Sequence, residues 1–403
     1  MAQSPTVSAS QTVQRTLDRV LAGAVLGVAD GYSLMAAEGP DLAAVIAAAG
    51  QLNGSARPHR RVTYSRKVFI PLTNLCRDRC GYCTFVKAPG QPGAHTMTPD
   101  EVLAVAHEGA RLGCKEVLFS LGDHPEWRHL EMRETLHTLG YESTPAYVAA
   151  MSEMVLRETG LLPHTNCGVL DEGEMRAIAA HNASMGIMLE NVSPRLLERG
   201  GPHFGTESKA PDLRLRTLSL AGELGVAMTS GILIGIGETS GERVESLLAI
   251  REQHARYGNI QEVIIQNFRA KARTRMRAAH EPSTVDMLRT LAVARLLLGP
   301  DMNIQAPPNL NVDGCQAYLL AGINDWGGIS PLTKDFINPE APWPQVSRLR
   351  ELTAEAGYQL RERLALYPEY ATSLQWPLPP AVARRVAELA NEDGLVKQEL
   401  EQW

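Results

Sequence analysis

The sequence predicts an α/β fold, a TIM-like (βα)8 barrel with added N- and C-terminal helices. From residue 67 to residue 326, short apolar segments typical of strands alternate with longer amphipathic segments typical of helices. Such alternation requires parallel strands joined by right-handed crossovers. The unit recurs eight times, which suits a closed barrel, although a doubly wound open sheet is the alternative.

The length of 403 residues leaves room for additions on both sides of a barrel. We expect an N-terminal helical extension over residues 1–60, the barrel over 61–335 and a C-terminal helical extension over 336–403. Residues 1–12 are rich in Ser, Thr and Gln and are expected to be disordered. Helical spacing of apolar residues then extends from 13 to 51, with breaks expected at Gly31 and Gly39, and these helices are expected to pack on one end of the barrel.

The barrel elements follow in order. The predicted strands are 67–71, 115–121, 161–167, 185–190, 227–234, 262–267, 303–306 and 323–326. The predicted helices are 98–112, 146–159, 172–181, 213–224, 243–257, 284–298 and, as a short one, 313–320. Thr98 can cap its helix because Glu101 follows three residues later, as in a capping box. Two further amphipathic stretches, 346–364 and 380–389, predict C-terminal helices on either side of a proline-rich break.

The composition excludes several classes of function. A net charge of −6 and the lack of a Lys/Arg-rich block argue against binding to nucleic acid. No apolar run approaches the roughly 20 residues that a membrane helix needs. The N-terminal segment carries Arg15, Asp18 and Arg19 where a signal peptide would be apolar, so a cytoplasmic protein is expected.

Three clustered cysteines follow the first predicted strand. Cys76, Cys80 and Cys83 have the spacing C-x3-C-x2-C. Three thiolates on one short loop can hold three irons of a [4Fe–4S] cluster and leave the fourth iron open to a small chelating ligand. Structural zinc is the main alternative, but it would need a fourth ligand, and neither His59 nor His95 lies at a paired-ligand spacing.

This loop, with the aromatic Tyr82 before its last cysteine, resembles the radical S-adenosylmethionine (SAM) signature. In that superfamily the amino and carboxylate groups of SAM chelate the open iron, and one electron cleaves SAM to methionine and a 5'-deoxyadenosyl radical. Residues 64–76, 80–85 and 322–331 resemble the deazaflavin (FO) synthase family more closely. The resemblance covers roughly residues 60 to 370 and makes the predicted fold a radical SAM barrel.

The resemblance implies an ammonia-releasing carbon–nitrogen lyase, the ring-closing subunit of FO synthesis. Its substrate would be the adduct of a hydroxybenzyl group with a ribityl-diaminouracil, and its products 7,8-didemethyl-8-hydroxy-5-deazariboflavin (FO), ammonia, methionine and 5'-deoxyadenosine. The implied cofactors are a [4Fe–4S] cluster and SAM. The implied partners are a low-potential electron donor such as ferredoxin or flavodoxin and, because one cysteine signature is present, a companion radical SAM subunit.

The candidate site residues follow strand ends, because barrel enzymes place their working groups there. Candidates for cofactor binding are Tyr82 in the cysteine loop, Gly122 and Asp123 after strand two, Glu190 and Arg195 after strand four, and Gly235 and Gly237 after strand five. The alternatives are purely structural roles: a β-turn at 122–125, a helix cap by Ser193 with Arg195 at the surface, and a tight strand-to-helix turn at 235–238.

The catalytic candidates are two carboxylates. Glu190 ends an apolar run, and Asp325, which is expected to close strand eight, lies beside an aromatic residue and paired glycines. The amides of Gln266, Asn267 and Asn309 are candidates for hydrogen bonds to a uracil or ribityl group, or equally for turns and core.

Two classes of alternative function stay open. One is another radical SAM reaction on the same scaffold, by the companion FO synthase subunit, a menaquinone-pathway enzyme or a biotin-synthase-like protein. The other is a non-catalytic iron–sulfur or zinc protein. The remaining cysteines, Cys114, Cys167 and Cys315, are expected to be buried as small hydrophobic residues.

Overall fold

The computed structural model describes residues 10–57, 59–374 and 376–401. Its strands are β1 (Arg61–Thr73), β2 (Glu116–Leu121), β3 (Leu162–Asn166), β4 (Ser184–Gly186), β5 (Met228–Ile234), β6 (Ile260–Asn267), β7 (Ile304–Gln305), β8 (Asp325–Ile329) and β9 (Gln359–Arg363). Its helices are α1 (Gln11–Leu21), α2 (Val28–Met35), α3 (Gly39–Ala56), α4 (Pro99–Arg111), α5 (Leu130–Leu139), α6 (Thr144–Thr159), α7 (Glu172–Ala179), α8 (Pro211–Glu223), α9 (Ser240–Tyr257), α10 (Thr284–Leu298), α11 (Val346–Glu355), α12 (Pro368–Ala371) and α13 (Pro380–Leu389). The disorder expected for residues 1–12 falls mostly outside the described residues, and Gln11 already begins α1.

The predicted barrel is confirmed. Strands β1 to β8 pair in chain order, all in parallel, and β1 pairs with both β2 and β8, so the sheet closes on itself. Helices between the strands pack side by side in an outer layer, as α4 does on α6 and α9 on α10. The expected capping box is present: the Thr98 backbone N–H donates to Glu101 Oε2 at 2.7 Å, and the Glu101 N–H donates to Thr98 Oγ1 at 3.4 Å.

A ninth strand lies where a helix was expected. The helix predicted over 346–364 ends at Glu355, because Gly357 has a φ of +82° and leaves the helical path. The next residues form β9, which pairs in parallel with the first part of β1 through Arg61–Ser65, whereas the second part of β1 pairs with β2 from Lys67 onward. The C-terminal region therefore adds a strand at the amino-terminal end of the barrel. The division of the chain at residues 60 and 335 stays a prediction.

The N-terminal helices pack on the side of the barrel, not on its end as expected. Helix α3 packs against α10, and α2 packs against α9. The break expected at Gly31 is wrong, since Gly31 lies inside α2. A Cβ there would lie 2.5 Å from Val244 Cγ1 of α9, so the glycine permits the two helices to pack closely. No helix in the described part of the chain is both long and apolar enough to cross a bilayer.

Candidate functional site

The cysteine loop, residues 76–83, follows β1 at the carboxyl end of the barrel. Cys76 is buried, and its Sγ accepts backbone N–H groups from Asp78 at 3.4 Å and from Asp123 at 3.3 Å. The middle of the loop is held by two backbone bonds, from Gly81 N to Pro202 O at 2.6 Å and from Met276 N to Gly81 O at 3.1 Å. Backbone N–H groups directed at the sulfur act to lower the pKa of Cys76, although burial outweighs them.

Gly122 lets the end of β2 touch this loop. Its N–H donates to Thr73 O at 3.0 Å, and a Cβ on it would lie 1.8 Å from Leu75 O and 2.6 Å from Cys76 Cβ. No side chain fits that space, so the sequence needs glycine here for close backbone approach. Gly122 therefore sets the position of Cys76 against β2.

Asp123 fastens the same loop through its carboxylate. Oδ1 pairs with Arg77 Nε at 2.6 Å and His124 Nδ1 at 2.9 Å, and Oδ2 accepts the Val169 N–H at 2.9 Å. Burial acts to raise the pKa of Asp123, but the bond to His124 and the charge of Arg77 outweigh it and lower that pKa. Burial likewise acts to lower the pKa of His124, but its bonds to Asp123 and Glu174 raise it to about 9. Asp123 is thus a buried anion that ties the cysteine loop, through Arg77, to His124 and to the backbone of Val169.

Glu190 lies at the mouth of the barrel with a φ of +63°. Its carboxylate forms an ion pair with Lys209 and accepts the Tyr82 hydroxyl at 3.4 Å. Burial acts to raise the pKa of Glu190, but the charges of Lys209 and Arg214 lower it overall. The Tyr82 hydroxyl also lies 3.0 Å from Nε2 of His203. The sequence does not single out Lys209 and His203, since both lie late in the long connection between β4 and α8, well beyond the end of the strand.

The barrel encloses a central cavity, and its lining does not include Arg195, Gly235 or Gly237. The Arg195 side chain is 48% exposed, pairs with Glu242 at 2.8 Å and donates to Gly237 O at 2.8 Å. Both glycines have positive φ, and Glu238 closes their turn by accepting the Gly235 N–H at 2.7 Å. These residues form a self-contained strand-to-helix turn, and their role in cofactor binding stays a prediction.

Asp325 was expected to close strand eight at the mouth, and this position is wrong. Strand β8 begins at Asp325, so the residue lies at the opposite end of the barrel. It is fully buried, and Arg363 donates to it through Nε at 2.7 Å and Nη2 at 3.0 Å. An arginine pairing with both oxygens in this way accounts for the buried carboxylate, which does not line the cavity.

A cavity of about 340 Å³ runs through the barrel from the cysteine loop to β9. Cys80, Cys83, Tyr82, Glu190 and Lys209 line its mouth. Its walls are mainly apolar, and Phe69 stacks on Trp343 with ring centroids 5.1 Å apart. The large apolar lining residues are Phe69, Leu118, Met188, Leu233, Ile264, Phe268, Leu310, Phe336, Ile337 and Trp343.

Two of the three predicted amide side chains line the cavity, and the third forms hydrogen bonds within the protein. Gln266 and Asn267 line the cavity, and Asn267 Oδ1 is buried with no hydrogen-bond partner among the described residues. Asn309 instead donates to Asp335 Oδ2 and to Ala341 O, both at 3.1 Å. Two of the three amides are therefore available to a ligand.

The three cysteines of the loop fit an iron–sulfur cluster by the chemistry of their thiols. Within the described ranges, no three His, Cys, Asp or Glu side chains are grouped closely enough to hold one ion. Iron–sulfur clusters are held by Cys thiolates, and Cys80 and Cys83 face the cavity, where an open iron would meet a ligand. Burial raises the pKa of Cys76 and of Cys80 to about 12, so iron would supply the positive charge that these sulfurs need as thiolates.

Solved structures support the fold alone. Methylornithine synthase aligns with a TM-score of 0.67 at 19% identity, covering 86% of this chain and 97% of that one. The FeFe-hydrogenase maturase HydG from Carboxydothermus hydrogenoformans aligns with a TM-score of 0.72 at 14% identity, covering 88% and 80%.

Sequence relatives identify the family. The radical SAM superfamily profile matches residues 70–250, and proteins of that superfamily use a [4Fe–4S] cluster and SAM. An FO synthase of Mycobacterium tuberculosis is 48% identical over 402 residues, which is 96% of this chain but 47% of the relative, so the chain spans about half the length of such relatives. The 7,8-didemethyl-8-hydroxy-5-deazariboflavin synthase of Methanopyrus kandleri is 51% identical over 309 residues, 77% of this chain and 92% of the relative. The chain therefore belongs to the radical SAM family of 7,8-didemethyl-8-hydroxy-5-deazariboflavin (FO) synthases.

Proposed function

We propose that this protein closes the deazaflavin ring system. It converts the hydroxybenzyl–ribityl-diaminouracil adduct and SAM into FO, ammonia, methionine and 5'-deoxyadenosine, which makes it a carbon–nitrogen lyase. One observation carries the proposal: the cysteine loop opens on a 340 Å³ cavity whose apolar walls suit flat rings, in a chain 51% identical to a deazariboflavin synthase.

Cys76, Cys80 and Cys83 are the proposed ligands of three irons, and the fourth iron would take the amino and carboxylate groups of SAM. When bound, the cluster supplies the electron that cleaves SAM, and SAM supplies the group that removes a hydrogen atom from the substrate. Gly122 and Asp123 hold the Cys76 side of the loop in place. We propose that these two residues act by positioning the cluster rather than by touching SAM.

The chain's own groups would orient the substrate and move its protons. The apolar walls hold the rings and exclude water, which keeps the reacting carbon close to SAM. We propose that the Glu190 carboxylate accepts the proton lost on ring closure through Oε2, because its Oε1 already accepts from Lys209 and Tyr82. Asp325 is not proposed as catalytic, because Arg363 occupies both its oxygens.

A test of the proposal is an anaerobic assay of the reconstituted protein with the adduct, SAM and a reductant. We expect deazaflavin fluorescence to appear together with 5'-deoxyadenosine and ammonia. Cleavage of SAM by the same preparation without any deazaflavin would reject this substrate in favour of another radical SAM reaction. A preparation that holds no iron would reject radical chemistry altogether.

The proposed electron donor is an acidic protein such as ferredoxin or flavodoxin. Three exposed arginines lie at the outer side of the cysteine loop: Arg79, Arg128 and Arg275. Arg275 donates to Arg79 O at 2.8 Å, and Arg128 donates to Arg77 O at 2.7 Å. Opposite charges speed the encounter of such partners. We also propose a companion radical SAM subunit that supplies the adduct, and a cytoplasmic location, where thiols stay reduced.

Reversing two of these charges, as in the double variant Arg79→Glu and Arg275→Glu, is expected to slow 5'-deoxyadenosine formation about tenfold with reduced flavodoxin at low salt. The rate with dithionite, a small reductant, is the control and should stay unchanged. An equal loss with both reductants would mean that the arginines support the loop and not the donor.

A further inference from the structure

We infer that the ribityl chain of the substrate lies on the charged floor of the cavity, which β9 completes, with the ring system pointing to the cysteine loop. The floor is defined by Lys67, Glu116, Glu262 and Arg363. The inference rests on the proposed function, because it assumes a substrate that carries a polyol chain.

The floor lies at the end of the cavity farthest from the cysteines. Glu116 begins β2, Lys67 is its neighbour on β1, and Glu262 lies near the start of β6. Arg363 comes from β9 and reaches Glu262 Oε1 at 3.4 Å, while Lys67 Nζ lies 2.6 Å from Glu116 Oε1. All four residues are more than nine-tenths buried, and all four line the cavity.

Such charges are unusual inside a barrel. Barrel interiors are generally filled by branched apolar side chains, and buried ions destabilise a protein unless they are well paired. Here the charges are paired, yet the space above them is left open. A row of hydroxyl groups suits this surface, because each hydroxyl both donates to a carboxylate and accepts from a cation.

Gln305 is a second and independent observation. It lies on β7, lines the cavity and is 6% exposed. Its side-chain amide has no hydrogen-bond partner among the residues that the structure describes. A Cβ on Gly327 would lie 2.2 Å from Gln305 Nε2, so the glycine makes room for this amide. The amide is not among the fully buried polar atoms that lack a partner, so it is open to the cavity, where a ligand hydroxyl can form a hydrogen bond with it.

The polarity along the cavity fixes the orientation. Rings placed at the floor would cover ion pairs with apolar surface, which costs free energy. Rings placed between Phe69, Leu233 and Ile264 meet apolar walls, and Gln266 and Asn267 remain for the polar edge of the uracil. In this orientation the reacting part of the substrate faces Cys80 and Cys83.

Binding of the product tests the inference without any turnover. FO and its analogue with a methyl group in place of the ribityl chain are titrated into the reconstituted holoenzyme and followed by deazaflavin fluorescence. We expect FO to bind at least about tenfold more tightly than the analogue, since several hydrogen bonds are lost with the chain. Gln305→Leu should weaken FO binding about three- to tenfold and leave the analogue unchanged.

Gln359→Leu is the matched control, since Gln359 is exposed at the start of β9, and it should bind both compounds as the wild type does. Equal affinity of the wild type for FO and the analogue would overturn the inference and leave the proposed function standing. So would an equal loss for both compounds in Gln305→Leu. If the wild type bound neither compound while still cleaving SAM, the proposed function would fail, and the inference with it.

Discussion

Alanine in place of Cys76, Cys80 or Cys83 is expected to abolish SAM cleavage while the barrel still folds. The three thiols share one loop, and no fourth thiol of the described chain lies on it to replace a lost one. A cluster held by two cysteines is expected to be labile, so the rate of 5'-deoxyadenosine formation should fall by more than about 100-fold, beyond what loss of an outer-shell partner causes. The fold should survive because the loop follows β1 and is not part of the barrel sheet.

Three measurements check this prediction: iron content, visible absorption after anaerobic reconstitution, and 5'-deoxyadenosine by chromatography. Thermal unfolding of the variants shows whether the barrel is intact. Cys315→Ala is a matched control, because Cys315 is buried near α11 and far from the loop in sequence, and it should keep iron and activity. Wild-type rates in any of the three loop variants would refute the ligand assignment.

The cysteine loop was predictable from sequence because its residues are neighbours along the chain. The eight-strand alternation was predictable for a similar reason, since each strand and helix is a local pattern. Asp325 shows the limit. A difference of a few residues in the bounds of β8 moves a side chain from the mouth of a barrel to its other end, and strand bounds depend on pairing with β7 and β1, which is not local.

The charged floor of the cavity is visible in the sequence as charged residues within predicted strands. Lys67, Glu116 and Glu262 are charges in strands that are covered on both faces, and parallel strands of this kind are normally apolar throughout. A charge at such a position predicts either a partner inside the barrel or a ligand. The sequence does not show that Arg363 is the partner of Glu262, because β9 lies about 100 residues away and its residue pattern resembles a helix continuing from α11.

The second large effect is expected for Gly122→Ala. Its Cβ would lie 1.8 Å from Leu75 O, a backbone atom that cannot turn aside as a flexible side chain can. Either β2 or the cysteine loop has to shift, and we expect a loss of about 3 kcal/mol in the free energy of unfolding together with poor iron incorporation. Thermal unfolding and iron content are the measurements.

Gly54→Ala is the matched control, since Gly54 lies in α3 with no atom within 4 Å of its Cβ position, and alanine there should stabilise the helix by about 0.5–1 kcal/mol. Normal iron loading in Gly122→Ala would show that the loop tolerates a shift at Leu75, and that Cys76 is placed by Asp123 and not by the approach of β2. Loss of iron with an unchanged unfolding temperature would locate the whole effect in the position of Cys76. The two measurements together therefore separate the effect of Gly122 on the stability of the barrel from its effect on the position of the Cys76 sulfur.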